Sequence, residues 1–119
     1  METSYPPGMT SSQASGQFRA LPVNQNATPT TGQTVNITST DRDVNLWLSP
    51  AGTLATLTIT LPADGVTQVG QTIRIGSSQI ITLLTINGAT TIYNAVGNIA
   101  IGDNFTFEKV AANTWSRMQ

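Results

Sequence analysis

The stretch TLATLTITL, Thr53 to Leu61, decides the fold: Ala55, Leu57, Ile59 and Leu61 fall on one side of an extended chain, and Thr56, Thr58 and Thr60 on the other. Alternation of this length predicts a half-buried strand with one core face and one threonine face. Turn chemistry closes it on both sides. Ser49-Pro50-Ala51-Gly52 precedes it, with proline presetting one dihedral and glycine free to take positive φ, and Pro62-Ala63-Asp64-Gly65 follows it.

Outward from this strand the same cadence continues, with turn signals every eight to twelve residues from Thr30 onward and no competing helical period. Upstream, Thr34 to Ser39 places Val35 and Ile37 inward, Asp41-Arg42-Asp43 forms a corner, and Val44 to Ser49 makes a further strand. Downstream, Val69 to Ile75 points Ile73 and Ile75 inward and Arg74 outward before Gly76-Ser77-Ser78 ends it. Gln79 to Ile86 is apolar on both sides, with Ile80, Leu84 and Ile86 opposed by Ile81 and Leu83, which predicts a central strand covered twice. Asn87-Gly88 signals a type I′ hairpin returning along Thr90 to Tyr93. Ile99, Ile101, Phe105 and Phe107 alternate, Glu108 and Lys109 read as an exposed step, and a last hairpin around Ala111-Ala112-Asn113 brings back Trp115 and Arg117. No repeat of fixed period is visible. The expected fold is all-β, a compact antiparallel β-sandwich or β-barrel of about eight strands spanning residues 30–119.

Residues 1–29, METSYPPGMTSSQASGQFRALPVNQNATP, have no apolar period and four of the six prolines. Such a segment buries too little surface to offset its ordering entropy, so it reads as an extended N-terminal arm that takes shape on a partner. Its anchors are Tyr5, Pro6, Pro7, Phe18, Leu21, Pro22 and Val23. Fully extended, it reaches on the order of 90 Å, far enough to cross from one subunit to the next but one.

Composition narrows the function. Charged residues are 9% of the chain, against roughly 25% in ordinary soluble domains, so the surface is neutral and hydroxyl-rich. Five basic and six acidic residues give no electrostatic footprint for nucleic acid or an anionic membrane. The N-terminus lacks the basic start and apolar run of a signal peptide, and no apolar run is long enough to span a bilayer. Histidine and cysteine are absent, which removes the usual nucleophile–base pairs and most zinc sites, and neither Gly-rich phosphate cradle is present. A two-carboxylate glycosidase would have to use Asp43 or Glu108. Asp41, Asp64 and Asp103 fall in or beside turns, where a short carboxylate bonds local N–H groups. The Asp41-Arg42-Asp43 step lacks the oxygen-rich surroundings of a calcium loop. The three sequons at Asn26, Asn36 and Asn104 stand against about two expected by chance in a chain this rich in Asn, Ser and Thr, and no signal peptide accompanies them. The expectation is a non-enzyme with no cofactor, metal or small-molecule substrate.

Trp47 is out of place. In Val44 to Ser49 the alternation gives Val44, Leu46 and Leu48 to the core and throws Trp47 onto the opposite face with Asn45 and Ser49. An indole left in water forfeits several kcal/mol at about 25 cal/mol per Å². A cover is expected from the domain itself, from a neighbouring subunit, which makes Trp47 a candidate interface residue, or from a sugar ring. Trp115, in the closing hairpin, reads as a core plug.

DRDVNLWLSPAGTLATLTITLP, VGQTIRIGSSQIITLLTING and DNFTFEKVAANTWSRMQ together resemble the β-rich module of small bacteriophage virion proteins, among them capsid decoration (cement) proteins and tail-fibre or head-fibre pieces. The resemblance spans residues 30–119 and implies a homotrimer on the outer capsid surface of a virion, made in the host cytoplasm, with the major capsid protein and neighbouring decoration subunits as partners. A fibre normally adds a repetitive shaft, which is missing here, so the expectation is a decoration protein that staples the head through its arm. The alternatives are a tail-fibre or tail-tip adhesin that touches a receptor, and a carbohydrate-binding module that stacks sugars on Trp47 and Trp115.

Overall fold

In the computed structural model, which describes residues 21–119, like side chains stack on like across parallel strands, and this sets the architecture. β1 (Val23–Ala27) and β2 (Thr34–Asn36) make a first coil, β3 (Val44–Leu48) and β4 (Leu54–Thr60) a second, and β5 (Thr72–Ser77) and β6 (Ile81–Asn87) a third. Each coil lays one strand in each of two sheets. β1, β3 and β5 run parallel in one sheet, and β2, β4 and β6 run parallel in the other. Parallel neighbours cannot be joined by a tight turn; here the strand in the opposite sheet is itself the crossover.

Register explains why the stack is stable. Thr34, Thr58 and Thr85 form one row, Val35, Ile59 and Ile86 the next, and Asn36, Thr60 and Asn87 a third. In the other sheet Val44 lies beside Ile73 and Leu46 beside Ile75. Branched side chains held stiff at χ1 interlock well in such rows. Thr60 Oγ1 adds a hydrogen bond to Asn87 Oδ1 at 2.8 Å.

The rest of the chain closes the far end. β7 (Thr91–Tyr93), β8 (Asn104–Ala111) and β9 (Thr114–Arg117) complete a six-stranded sheet in the order β1-β3-β5-β8-β9-β7. β8 is antiparallel to β5 and to β9, while β7 runs parallel to β9. Phe105 and Phe107 meet edge to face at 5.6 Å between ring centres. Trp115 is 1% exposed, a core plug as its place in the closing hairpin predicts. The β8–β9 hairpin turns at Ala112 and Asn113, and Asn113 takes the left-handed conformation that asparagine tolerates, φ +52°.

Several expectations are corrected. The fold is all-β, but its sheets are mixed and coiled, neither a simple antiparallel sandwich nor a barrel, and nine strands are present among the described residues. Turns such as residues 49–53 carry the chain from one sheet to the other and do not reverse it within one. The apolar run ending at Ile86 is no central strand: β6 is the last strand of its sheet, with Ile81, Leu84 and Ile86 inward and Ile80 and Leu83 exposed. Residues 97–99 cover part of its outer edge, where Ile81 and Ile99 exchange two backbone bonds of 3.0 Å.

Asn87-Gly88 does not form a hairpin either. The Leu61 N–H donates to the Asn87 carbonyl at 2.8 Å, and Gly88 sits at φ +99° so close to Leu61 that a Cβ would lie 2.8 Å from its nitrogen. The pair makes a corner, and the following strand leaves to join β9 in the other sheet. In β4 the phase slips: Leu54 is buried, and Ala55 and Thr56 are both exposed. β6 makes the same slip at Thr82 and Leu83, so the stack keeps register. Finally, the first strand begins at Val23, inside the segment read as arm, because Val23 and Ala27 pack against the core and pair with β3.

Candidate functional site

The outer face of the six-stranded sheet carries Trp47. β3 alternates strictly, burying Val44, Leu46 and Leu48, so Trp47 is forced outward and is 41% exposed. Its partners in register are Asn26 on β1 and Gly76 on β5, and Gly76 is paired in turn with Asn104 on β8. Gly76 points outward yet is buried, because the indole leans over it: a Cβ there would lie 2.8 Å from Cζ3 and 2.9 Å from Cε3. Glycine inside a strand commonly marks such a close approach. One pair further along lie Asn24, Asn45, Arg74 and Thr106, with the Asn45 Nδ2 donating to Asn24 Oδ1 at 3.3 Å. The ring is thus seated by its own sheet and bordered by carboxamides and one guanidinium. Trp115, the other aromatic of the sugar-stacking alternative, is buried and offers no surface.

The second feature is the open end of the first coil. Among the described residues β1 pairs only with β3, and β2 only with β4. Gln25 occupies the inward position above Leu46, and its carboxamide ties the two strands together: Nε2 donates to the Asn36 carbonyl at 2.8 Å, and Oε1 accepts the Thr38 N–H at 2.9 Å. The edge strand VNQNA has neither charge nor proline, the usual guards against further pairing. The expected anchors Tyr5, Pro6, Pro7 and Phe18 lie outside the described residues. Leu21 and Pro22 are exposed at the entry to β1, and Val23 is half-buried as its first residue. The Arg42 Nε donates to the Leu21 carbonyl at 2.6 Å and fixes that entry.

A third cluster is Lys109, which corrects the exposed step expected for Glu108 and Lys109. Lys109 is 3% exposed because it continues the inward phase of Phe105 and Phe107. Its Nζ lies 2.7 Å from Asp64 Oδ1 and donates to Thr67 Oγ1 at 2.7 Å and to the carbonyls of Asp64 and Thr67 at 3.3 Å. Asp64 also accepts the Asn113 N–H at 2.8 Å. The hydrogen bond from Lys109, then that from Asn113, holds the Asp64 carboxyl below the usual carboxylate range. The spacing Phe105, Phe107, Lys109 carried this signal in the sequence. The cluster pins the 64–67 turn to the closing hairpin.

Among the other described acidic residues, Asp43 braces a neighbouring strand. Asp43 Oδ1 accepts the Thr72 N–H at 2.9 Å, and Glu108 is paired with that same Thr72 across β5 and β8. The carbonyls of Thr40 and Arg42 accept from the buried Gln71 carboxamide at 2.9 and 2.6 Å, and that of Asp41 accepts from Gln68 at 3.1 Å. The corner's carbonyl oxygens are thereby engaged by amides. Among the described residues no group of three or more Asp or Glu converges on a point that could hold a metal ion. Two clefts are lined by described residues. One, of about 290 Å³, is bordered by Asp103, Asn104 and Arg117. The other, of about 330 Å³, is apolar and bordered by Ile80, Ile99 and Ala100.

Compared with known proteins, the chain matches no family model, no curated protein and no solved structure.

Proposed function

We propose that the chain is a non-enzymatic structural subunit of a phage particle, a decoration protein that binds the major capsid protein on the outside of the head as a homotrimer. The observation that supports this reading most is the open first coil. An uncharged edge strand, pinned at its start by Arg42 and preceded by a segment with scattered aromatic and proline anchors, is suited to accept a strand from another polypeptide. The exposed apolar residues Ile80, Leu83 and Ile101, on a surface nearly without charge, add area for subunit contact. Gel densitometry of purified particles against the major capsid band tests it. Hundreds of copies per particle are expected, and absence from the particle would overturn the reading.

A second reading, a tail-fibre or tail-tip receptor-binding module, is favoured by one observation, the half-exposed Trp47 on a polar sheet face. The same gel separates the two, since a tip holds only a handful of copies.

A further inference from the structure

We propose that the outer face of the six-stranded sheet binds a glycan, one pyranose ring of which lays its apolar C–H face on Trp47 while its hydroxyls bond Asn26, Asn104 and Arg74. The seat is built into the backbone. Gly76 gives the indole a place where any other residue would push it away, so the ring is held leaning over β5 with 41% of the residue still exposed. Holding an aromatic in place before binding lowers the ordering cost of the complex.

The surroundings choose the ligand. An aromatic that anchors a protein partner normally sits among other apolar side chains. Around Trp47 the sheet instead presents Asn26 and Asn104 in its own row and Asn45 and Arg74 in the next. Asn26, Asn104 and Arg74 are exposed, and their side chains make no hydrogen bond or ion pair among the described residues. A carboxamide offers donors and an acceptor side by side, and a guanidinium adds a fork of donors, which together match neighbouring hydroxyls on a sugar rim. With Arg74 the one cation beside Trp47 in these two rows among the described residues, and a net charge of −1 on the chain, a phosphate backbone finds little to hold it. A neutral ring with one apolar face and a hydroxyl edge fits these groups. The inference is independent of the capsid reading and needs only the folded sheet.

The test uses the full chain titrated to millimolar concentrations of chitohexaose, cellohexaose and maltohexaose, with the two indole N–H resonances followed by NMR. The expected result is a saturable shift of the Trp47 indole with at least one of these, while buried Trp115 stays in place. Trp47→Ala should weaken binding about tenfold or more, and Asn26→Ala, Asn104→Ala and Arg74→Ala each severalfold. Gly76→Ala should weaken it through the displaced ring. Far-UV circular dichroism and the Trp115 resonance report that each variant is folded. A variant that fails this check is replaced by Trp47→Phe, which keeps an apolar ring and should retain part of the binding. No saturable shift with any of the three hexasaccharides overturns the proposal. So does unchanged binding by Trp47→Ala, a shift produced only by a single-stranded oligothymidylate, or a Trp47 indole already shielded in a free oligomer.

Discussion

Single residues carry more of this fold than their chemistry suggests. Lys109 is the clearest case: the methylene stem continues the apolar row of Phe105 and Phe107, and only the ammonium is polar. Lys109→Ala should cost about 2 kcal/mol in urea unfolding, from the lost stem and the space it leaves, while Lys109→Met should recover most of that. Equal losses in the two variants would show that the charge, and not the packing, is what matters. Its partner Asp64 makes stability depend on pH in one direction. The folded carboxyl titrates below the usual aspartate value of 3.8, so its contribution is fully present above that value and disappears as pH falls through the lower, folded one. The urea midpoint of the wild type should therefore drop on acidification below about pH 4, and the drop should shrink in Asp64→Asn. Gly88→Ala is predicted to destabilise by about 2 kcal/mol or more, because a methyl group there meets the Leu61 backbone and L-residues avoid φ +99°. The exposure of Trp47 follows from strict alternation and the burial of Trp115 from its place in the closing hairpin, and both are readable in the sequence. The seat at Gly76 is not, because it depends on which strand lies beside β3.

At the level of elements, strand existence is legible and strand partnership is not. Alternation in TLATLTITL and the Phe105, Phe107 pair reports a half-buried strand wherever its neighbour comes from, so most strands lie near their expected places. Asn87-Gly88 misleads because its chemistry specifies a tight corner, and a corner between two sheets needs the same left-handed glycine as a hairpin. The apolar run before it misleads because Ile80 and Leu83, with no second layer over them, stand in the same kind of sequence as buried residues. The arrangement gives an ordering that hydrogen exchange can read: amides in the doubly paired strands β3, β4, β5, β8 and β9 should exchange more slowly than those in the edge strands β1, β2 and β7. Gln25 moderates this. Replacing it with alanine removes the tie to Asn36 and Thr38, and should cost about 1 kcal/mol while speeding exchange at Thr38. An unchanged Thr38 rate would mean that the tie is not what holds the first coil shut.

For the whole molecule, the coil stack explains why no repeat is visible beforehand. Stacked threonines recur at 34, 58 and 85 in one sheet, and the inward residues Val23, Val44 and Ile73 in the other, so the spacing changes from turn to turn. Corners of unequal length absorb the difference, leaving only short echoes such as Thr58-Ile59-Thr60 and Thr85-Ile86-Asn87. Removing residues 1–20 should leave the thermal transition of the described sheets unchanged, whereas removal through Pro29 also strips β1 from β3 and should lower it. A transition equally lowered by the shorter truncation would place part of the stability upstream of Leu21. The two ends of the stack are unlike, and this has a consequence for association. Among the described residues no strand lies beyond β1 or β2, whereas at the other end the strand direction reverses at β8 and residues 97–99 lie along β6. Strand addition is therefore directed to one end: a polypeptide that extends either parallel sheet in register meets a parallel template beside β1 or β2, and a reversed, partly covered one at the far end.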